Sequence, residues 1–238
     1  MKEKVLLLLA AQGDVKKAAE IEDYLNKAGG QPYPAGGFTG SAVPGPEVVK
    51  PHAAPAIPDG IYLEFGSQSP VIHTSYVPGE VTEDMKQRCT GVCVKLGGKS
   101  ITVDLYNQAD GDDITLTRRE DKTGWDGYKD NSLDAGADWD GEGNTAHLKA
   151  VGLNPKIELK GGQFIPSLAQ WRFICLFRKE LNQALAEVGG DELSGWYWSS
   201  TEYSANHAWP LFLGSGPTGS LAKASNRTRV RAVSAFII

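Results

Sequence analysis

Residues 195–236 read GWYWSSTEYSANHAWPLFLGSGPTGSLAKASNRTRVRAVSAF. An aromatic cluster opens this segment at 196–198, and a short apolar run follows at 211–213. A loop of small residues then occupies 214–225. Aromatic and apolar runs next to a loop of small residues favour a packed β frame that carries a surface loop.

Arginines alternate with small or apolar residues at 227–232, near the end of the chain. Side chains alternate between the two faces of a strand, so the pattern predicts a strand with its arginines at 227, 229 and 231 on one face. On this pattern alone, the strand is an edge of a β-rich core with a solvated basic face.

The motifs WYWSSTEYS and RVRAV resemble the C-terminus of C-type-lectin-fold proteins of the formylglycine-generating-enzyme-like branch. The chain is most similar to variable proteins of diversity-generating retroelements, of which the phage major tropism determinant is one type. Domains of collagen-binding bacterial adhesins are also similar. The resemblance covers residues 60–238 and is strongest from 164 onward. It implies an α+β domain with a C-type-lectin-like fold.

The resemblance also implies a ligand-binding surface in a variable region at about 195–236. In these systems adenines of a template are exchanged at random, so asparagine codons become many others. Trp198 and Trp209 would then belong to the scaffold. The implied ligand-binding residues are of types that such exchange can produce, with Tyr203 as an aromatic anchor beside them. They are Tyr203, His207, Pro210, Phe212, Ser215, Pro217, Gly219, Ser220, Leu221, Ala222, Ala224, Ser225 and Thr228.

The 238 residues divide by composition into three parts. Residues 1–28 have apolar positions at helical spacing, and a helix of this kind needs a partner for its apolar face, so it predicts docking or homo-oligomer formation. The apolar run at 5–11 also fits the lower limit of a signal peptide, but we favour a retained helix. Residues 29–59 are rich in Pro and Gly and predict a linker before the ligand-binding domain at 60–238.

Within 60–238, alternating apolar residues predict strands at 61–65, 71–77, 91–96, 99–106 and 112–120. Gly97 and Gly98 are expected to form the turn of a hairpin. Ser167 is a predicted N-cap for one long helix that ends before the glycines at 189–190, with Trp171 in its buried stripe.

Asp138, Asp140, Glu142 and Asn144 alternate with glycines and resemble a calcium loop, although the closing Glu of the twelve-residue pattern is missing. We favour the alternative, in which these side chains cap a short helix at 145–151. The calcium-dependent sugar motifs of lectins, Glu-Pro-Asn or Gln-Pro-Asp, are absent from the sequence. The expectation is a protein that requires no metal and no cofactor.

The chain has 3 cysteines and 4 histidines, none in a recognisable catalytic motif. The formylglycine-generating enzyme uses paired cysteines near its C-terminus, whereas the last cysteine here is Cys175. This difference predicts a binding protein without enzymatic activity.

A net charge of −5 argues against nucleic-acid binding, and no apolar run has the length of a membrane span. The expected partner is a protein or glycan on a cell surface, with the chain located on a phage virion or bacterial surface and in the cytoplasm before assembly. A surface adhesin of the same fold without diversification is the alternative function.

Overall fold

The computed structural model describes residues 57–66 and 72–236. The predicted helix at 1–28 and most of the predicted linker at 29–59 lie outside the described residues. Among the described residues, no helix has the length and apolar character that a membrane crossing requires.

The described domain is α+β, as the sequence predicts. Its helices are α1 (Glu83–Arg88), α2 (Ser132–Ala137), α3 (Gly141–Val151), α4 (Leu168–Leu176) and α5 (Arg178–Val188), with a 3-10 turn at Ala109–Gly111. Its strands are β1 (Gly60–Phe65), β2 (Ile72–Ser75), β3 (Cys89–Leu96), β4 (Lys99–Asn107), β5 (Gln163–Phe164), β6 (Trp196–Glu202), β7 (His207–Phe212), β8 (Leu221–Ala222) and β9 (Arg231–Ser234).

The strands form two antiparallel sheets. The larger sheet has six strands in the order β2-β1-β3-β4-β9-β5, and the smaller has three strands in the order β6-β7-β8. The hairpin of β3 and β4 turns at Gly97 and Gly98, where φ is +55° and +81°. Two successive residues in this left-handed region define a turn that favours glycine.

The helical segment after Ser167 forms two helices instead of the one long helix that the sequence predicts. Phe177 interrupts it with φ −110° and ψ 13°, and the Phe177 amide donates to the carbonyl of Ile174 at 3.0 Å. The break lets α4 pack against β6 and β7 while α5 packs against β1 and β3. One core therefore joins the two sheets, with Trp171 fully buried in it.

The N-terminus of α4 is held by a capping box. Ser167 Oγ accepts from the amide of Gln170 at 3.3 Å, and the Gln170 side chain accepts from the Ser167 amide at 2.8 Å. Two of the amides that a helix start leaves without partners are thus satisfied. The sequence identifies this N-cap correctly.

The predicted strand at 112–120 is wrong. Only isolated bridges occur there, from Ile114 to Thr228 and from Thr117 to Leu153. The alternation of this segment instead reflects single apolar side chains, Ile114 and Leu116, that reach the core next to Trp198.

Candidate binding surface

The segment at 198–202 forms the buried frame of the C-terminal region. Trp198 is fully buried, and its indole Nε1 donates to the carbonyl of Ile114 at 2.8 Å. Trp209 is also buried, and its Nε1 donates to the carbonyl of Lys129 at 2.7 Å. Each indole therefore ties the small sheet to a loop from another part of the chain, which is the scaffold role expected from the sequence.

The polar residues between these tryptophans are buried as well. Thr201 Oγ1 accepts from the amide of Leu168 at 2.9 Å and donates to Asp138 Oδ2 at 2.6 Å. Ser200 donates to the carbonyl of Gly141 at 3.4 Å. Because buried hydroxyls need partners, the Ser-Ser-Thr run is explained by its position against the starts of α3 and α4.

Asp140 is the N-cap of α3, in line with the alternative favoured over a calcium loop, and Asp138 supports it by accepting from the Asp140 amide at 3.1 Å. Asp140 Oδ1 accepts from the Gly143 amide at 2.9 Å at the start of α3, which begins at Gly141 and not at 145. Asp138 Oδ2 accepts from the Asn144 side chain at 2.6 Å. These carboxylates are already engaged by protein donors.

A groove with a volume of about 520 Å³ lies beside β8, where the C-terminal loops meet. Trp196 is 41% exposed on its wall, and its ring lies 5.4 Å from that of Phe212. Arg227 and Asp113 are exposed charged residues of the lining. The groove thus combines an aromatic wall with a cation and an anion, a combination suited to orienting a polar ligand.

The structure brings part of the predicted ligand-binding set together around this groove. The lining includes Pro210, Gly219, Ser220, Leu221 and Thr228. By accessibility, Ser215, Pro217, Ser220, Ala224 and Ser225 are exposed, and Tyr203, His207, Phe212, Gly219, Leu221 and Ala222 are half-buried.

Pro210 and Thr228 are buried, contrary to the expectation of exposure. Thr228 pairs with Ile114, so its backbone is enclosed by the loop before α2. Pro210 lies opposite Trp198 in the pairing of β6 with β7. Both residues form the floor of the groove and contribute little free surface.

Other members of the set lie outside the groove lining. His207 pairs with Ala222 across β7 and β8, and the Tyr203 ring packs edge-on against Trp209 at 5.4 Å. Ala224 and Ser225 lie on a turn in which the amides of Ser225 and Asn226 both donate to the carbonyl of Ala222.

The arginine pattern at 227–231 does not form a solvated basic face. Arg231 is fully buried, and its guanidinium donates to Asn107 Oδ1 at 3.0 Å and to the carbonyls of Asp104 and Asp191 at 2.8 and 2.7 Å. Arg229 is half-buried and donates to the carbonyl of Ser194 at 2.7 Å. The strand also begins later than the pattern predicts, because β9 starts at Arg231 and only isolated bridges occur at Thr228 and Arg229. Arg229 and Arg231 donate to backbone carbonyls, and Arg227 is exposed.

A largely buried cluster of charged residues includes Glu202 at the end of β6, and sequence reasoning missed it. Asp121, His147 and Glu202 each direct a ligand-type atom to one place, with all three atoms within 4.8 Å of one another. His147 Nε2 lies 2.9 Å from Asp121 Oδ2 and 3.3 Å from Glu202 Oε2. Lys223 forms an ion pair with Glu202 Oε1, and both side chains are buried. No sequence spacing announces this cluster, because its members come from separate elements.

The environment shifts the pKa values of the two carboxyl groups, Glu202 and Asp121, in opposite directions. Burial raises the pKa of Glu202, although Lys223 partly opposes this effect. Burial also acts to raise the pKa of Asp121, but hydrogen bonds from Tyr128, Thr123 and His147 outweigh it and hold that pKa below its ordinary value. Burial and the bond to Asp121 raise the pKa of the Tyr128 hydroxyl. Asp121 is therefore an ionised carboxylate over the neutral pH range.

The cysteines are all free thiols. Burial raises the pKa of Cys89 to about 11 and that of Cys93 to about 12. Burial also raises the pKa of Cys175, which lies in α4. Thiolate is the nucleophilic form of cysteine, so at neutral pH these side chains are unreactive.

No protein-family model matches the chain, and no curated protein matches it. Among solved structures, the chain is similar to a crystal structure of a fimbrial protein from Bacteroides ovatus ATCC 8483 at 1.85 Å resolution. The two are 16% identical with a TM-score of 0.53, and the match covers 76% of this chain and 49% of that one. This chain thus spans about half the length of that protein, and at this identity the likeness concerns the fold alone.

Proposed function

We propose that this chain is a ligand-recognition protein of a microbial or phage surface, with a C-type-lectin-like domain. Its groove and the adjoining loops of the C-terminal region form the recognition surface. The observation that carries this proposal is the contrast between the buried frame of Trp198 and Trp209 and the accessible residues that surround Trp196. Binding residues that stand on a rigid frame lose little conformational entropy when a ligand arrives.

The finer proposal is that retroelement-directed adenine exchange diversifies this surface. Its support is the resemblance of WYWSSTEYS and RVRAV to such variable proteins, together with exposed small residues at 215, 220 and 225. Exchanges at exposed sites of this kind leave stability within about 0.5 kcal/mol, so a family of variants would share one fold. Flanking DNA tests this point: a near-repeat of the last codons with adenines at the exchanged positions, beside a reverse-transcriptase gene, is expected.

In the alternative function, the chain is a surface adhesin that uses the same surface, and the sequence of that surface is not diversified. The similar solved structure is titled a fimbrial protein, which favours a place on a bacterial surface for this chain also. An enzyme of the formylglycine-generating type is disfavoured, because Cys89 and Cys93 are buried thiols with raised pKa values.

Binding is tested with the labelled full chain on arrays of glycans and of bacterial surface proteins. Trp196→Ala removes the aromatic wall of the groove and is expected to weaken binding about 10-fold or more, as for a central aromatic contact. Tyr106→Ala is the matched control, since Tyr106 is 54% exposed on β4 and does not line the groove. Equal binding by the two variants would place the recognition surface elsewhere.

A further inference from the structure

Asp121, His147 and Glu202 come from three separate elements, and their charged side chains meet at one place. Asp121 belongs to the irregular segment at 118–131, His147 to α3 and Glu202 to the end of β6. The amide of Asp121 donates to the carbonyl of Ala205 at 3.1 Å, which fixes this segment against the turn after β6. The three side chains therefore converge on a place set by the backbone.

Glu202 has one oxygen with a partner and one without. Lys223 pairs with Oε1, while Oε2 is the one buried side-chain polar atom without a hydrogen-bond partner in the part of the chain that the structure describes. His147 Nε2 is nearer to Asp121, at 2.9 Å, than to Glu202, at 3.3 Å. A single N–H donates well to only one of these carboxylates. Glu202 Oε2 is therefore buried away from water without a hydrogen bond in exchange, which is energetically costly.

The charges of the cluster do not balance when both carboxylates are ionised. Asp121 and Glu202 then carry two negative charges, and Lys223 supplies one positive charge. An unpaired charge in the interior is costly, so either a bound cation or a proton within the cluster neutralises the excess.

We propose that Asp121 Oδ2, His147 Nε2 and Glu202 Oε2 bind a divalent transition-metal ion, with Zn²⁺ as the preferred ion. Ligands about 2.1 Å from such an ion, at angles between octahedral and tetrahedral, lie roughly 3.0–3.4 Å apart. The separations of His147 Nε2 from the two carboxylates, 2.9 and 3.3 Å, are close to this range. A histidine with two carboxylates is a ligand set for zinc or manganese and not for Ca²⁺, which prefers six to eight oxygens.

Neighbouring residues hold Asp121 and His147 in place. Tyr128 donates to Asp121 Oδ2, and the Thr123 amide donates to Asp121 Oδ1 at 2.7 Å. The Trp125 ring stacks on the imidazole of His147 at 4.0 Å and fixes its plane. Such contacts orient metal ligands. Asp121 also lines an open cavity of about 530 Å³, although its own side chain is buried.

The proposed role of the ion is structural. It would fasten the segment at 118–131 to α3 and β6, next to Lys223 of the loop that follows β8. The same segment accepts the Trp209 indole N–H at Lys129, so the ion would stabilise the frame on which the candidate binding surface rests.

The test uses the untagged full chain, stripped with a chelator and then supplied with Zn²⁺, Mn²⁺ or Ca²⁺. We expect about one equivalent of bound Zn²⁺, a Tm that rises with zinc concentration, and no rise with Ca²⁺. Co²⁺ in place of Zn²⁺ is expected to give visible d–d absorption bands of a histidine–carboxylate site.

His147→Gln and Asp121→Asn are expected to weaken zinc binding by at least about 100-fold, more than the loss of an outer-shell contact. His73→Gln is the matched control, because His73 is a half-buried histidine on β2 outside the cluster, and it should bind zinc like the unaltered chain. His147 is partly accessible, so its variant should remain folded even if Glu202→Gln, which leaves the buried Lys223 without a counter-charge, does not.

Two results would overturn the proposal. The first is an unaltered chain that retains no more zinc than His147→Gln and melts at the same temperature with and without chelator; a proton within the cluster would then balance its charge. The second is a loss of zinc binding in the His73→Gln control equal to that in the cluster variants, which would place the ion outside the cluster.

Discussion

Trp198→Ala should be among the most damaging single substitutions in the domain. The Trp198 side chain is fully buried, and its removal leaves a cavity beside Ile114, Leu116 and Val230. Truncation of a buried tryptophan costs about 3–5 kcal/mol. The carbonyl of Ile114 also loses its indole donor, which adds about 1 kcal/mol.

The expected loss is therefore about 4–6 kcal/mol in the free energy of unfolding, from the cavity and hydrogen-bond terms together. For a domain of this size each kcal/mol lowers the Tm by about 2–4 °C, so the Tm should fall by roughly 8–24 °C. Trp198→Phe retains most of the volume and loses only the donor, so its cost should lie well below that of the alanine variant.

The assay is urea unfolding followed by far-UV circular dichroism, since the substitution removes a fluorophore. The urea midpoint should decrease with little change in the m-value, which shows that the loss concerns stability and not the compactness of either state. Trp196→Ala is the control: Trp196 is 41% exposed, and its truncation should cost less than about 1 kcal/mol. If the two alanine variants unfold at the same urea concentration, the assignment of Trp198 to the frame is wrong.

Three further outcomes are expected. Arg231→Lys should lower the free energy of unfolding by about 3 kcal/mol or more, because a lysine cannot reproduce the bonds of a buried guanidinium; a Tm unchanged from that of the parent chain would contradict the buried network. Ser167→Ala should cost about 1–2 kcal/mol through loss of the capping box, measured by thermal melting, whereas an exposed change such as Ser225→Ala should be neutral. Cys93 has a pKa raised from 9.0 to about 12 in the folded chain, so its contribution is fully present below pH 9 and is lost between pH 9 and 12 as the unfolded thiol ionises; Cys93→Val should show a smaller loss of stability over that interval, and equal slopes for the two proteins would refute the shift.

Local patterns in the sequence carry several features of the fold. Ser167 and Gln170 form the capping box, and Gly97-Gly98 forms the hairpin turn, because caps and tight turns depend on residues within a few positions of each other. The α+β class and the buried position of Trp171 follow from apolar periodicity for the same reason.

The pattern within one segment does not predict burial or strand pairing when the contacts come from a distant segment. The alternation at 227–231 cannot reveal that Arg231 is buried, since its acceptors Asn107, Asp104 and Asp191 come from β4 and from the loop after α5. The alternation at 112–120 reads as a strand, yet Ile114 only bridges to Thr228. The break at Phe177 likewise separates a helix that packs on β6 and β7 from one that packs on β1 and β3, and those strands are distant in sequence from the helices' own pattern.

The candidate sites divide in the same way. The C-terminal segment itself specifies which residues are small, aromatic or apolar, and hence which part of the chain is suited to recognition. Only the tertiary structure sets Trp196 beside Arg227 in one groove, and only it gathers Asp121, His147 and Glu202 around one point. Burial and charge pairing depend on what lies across a sheet or behind a loop, and those neighbours are fixed by packing of the whole domain and not by the order of residues along the chain.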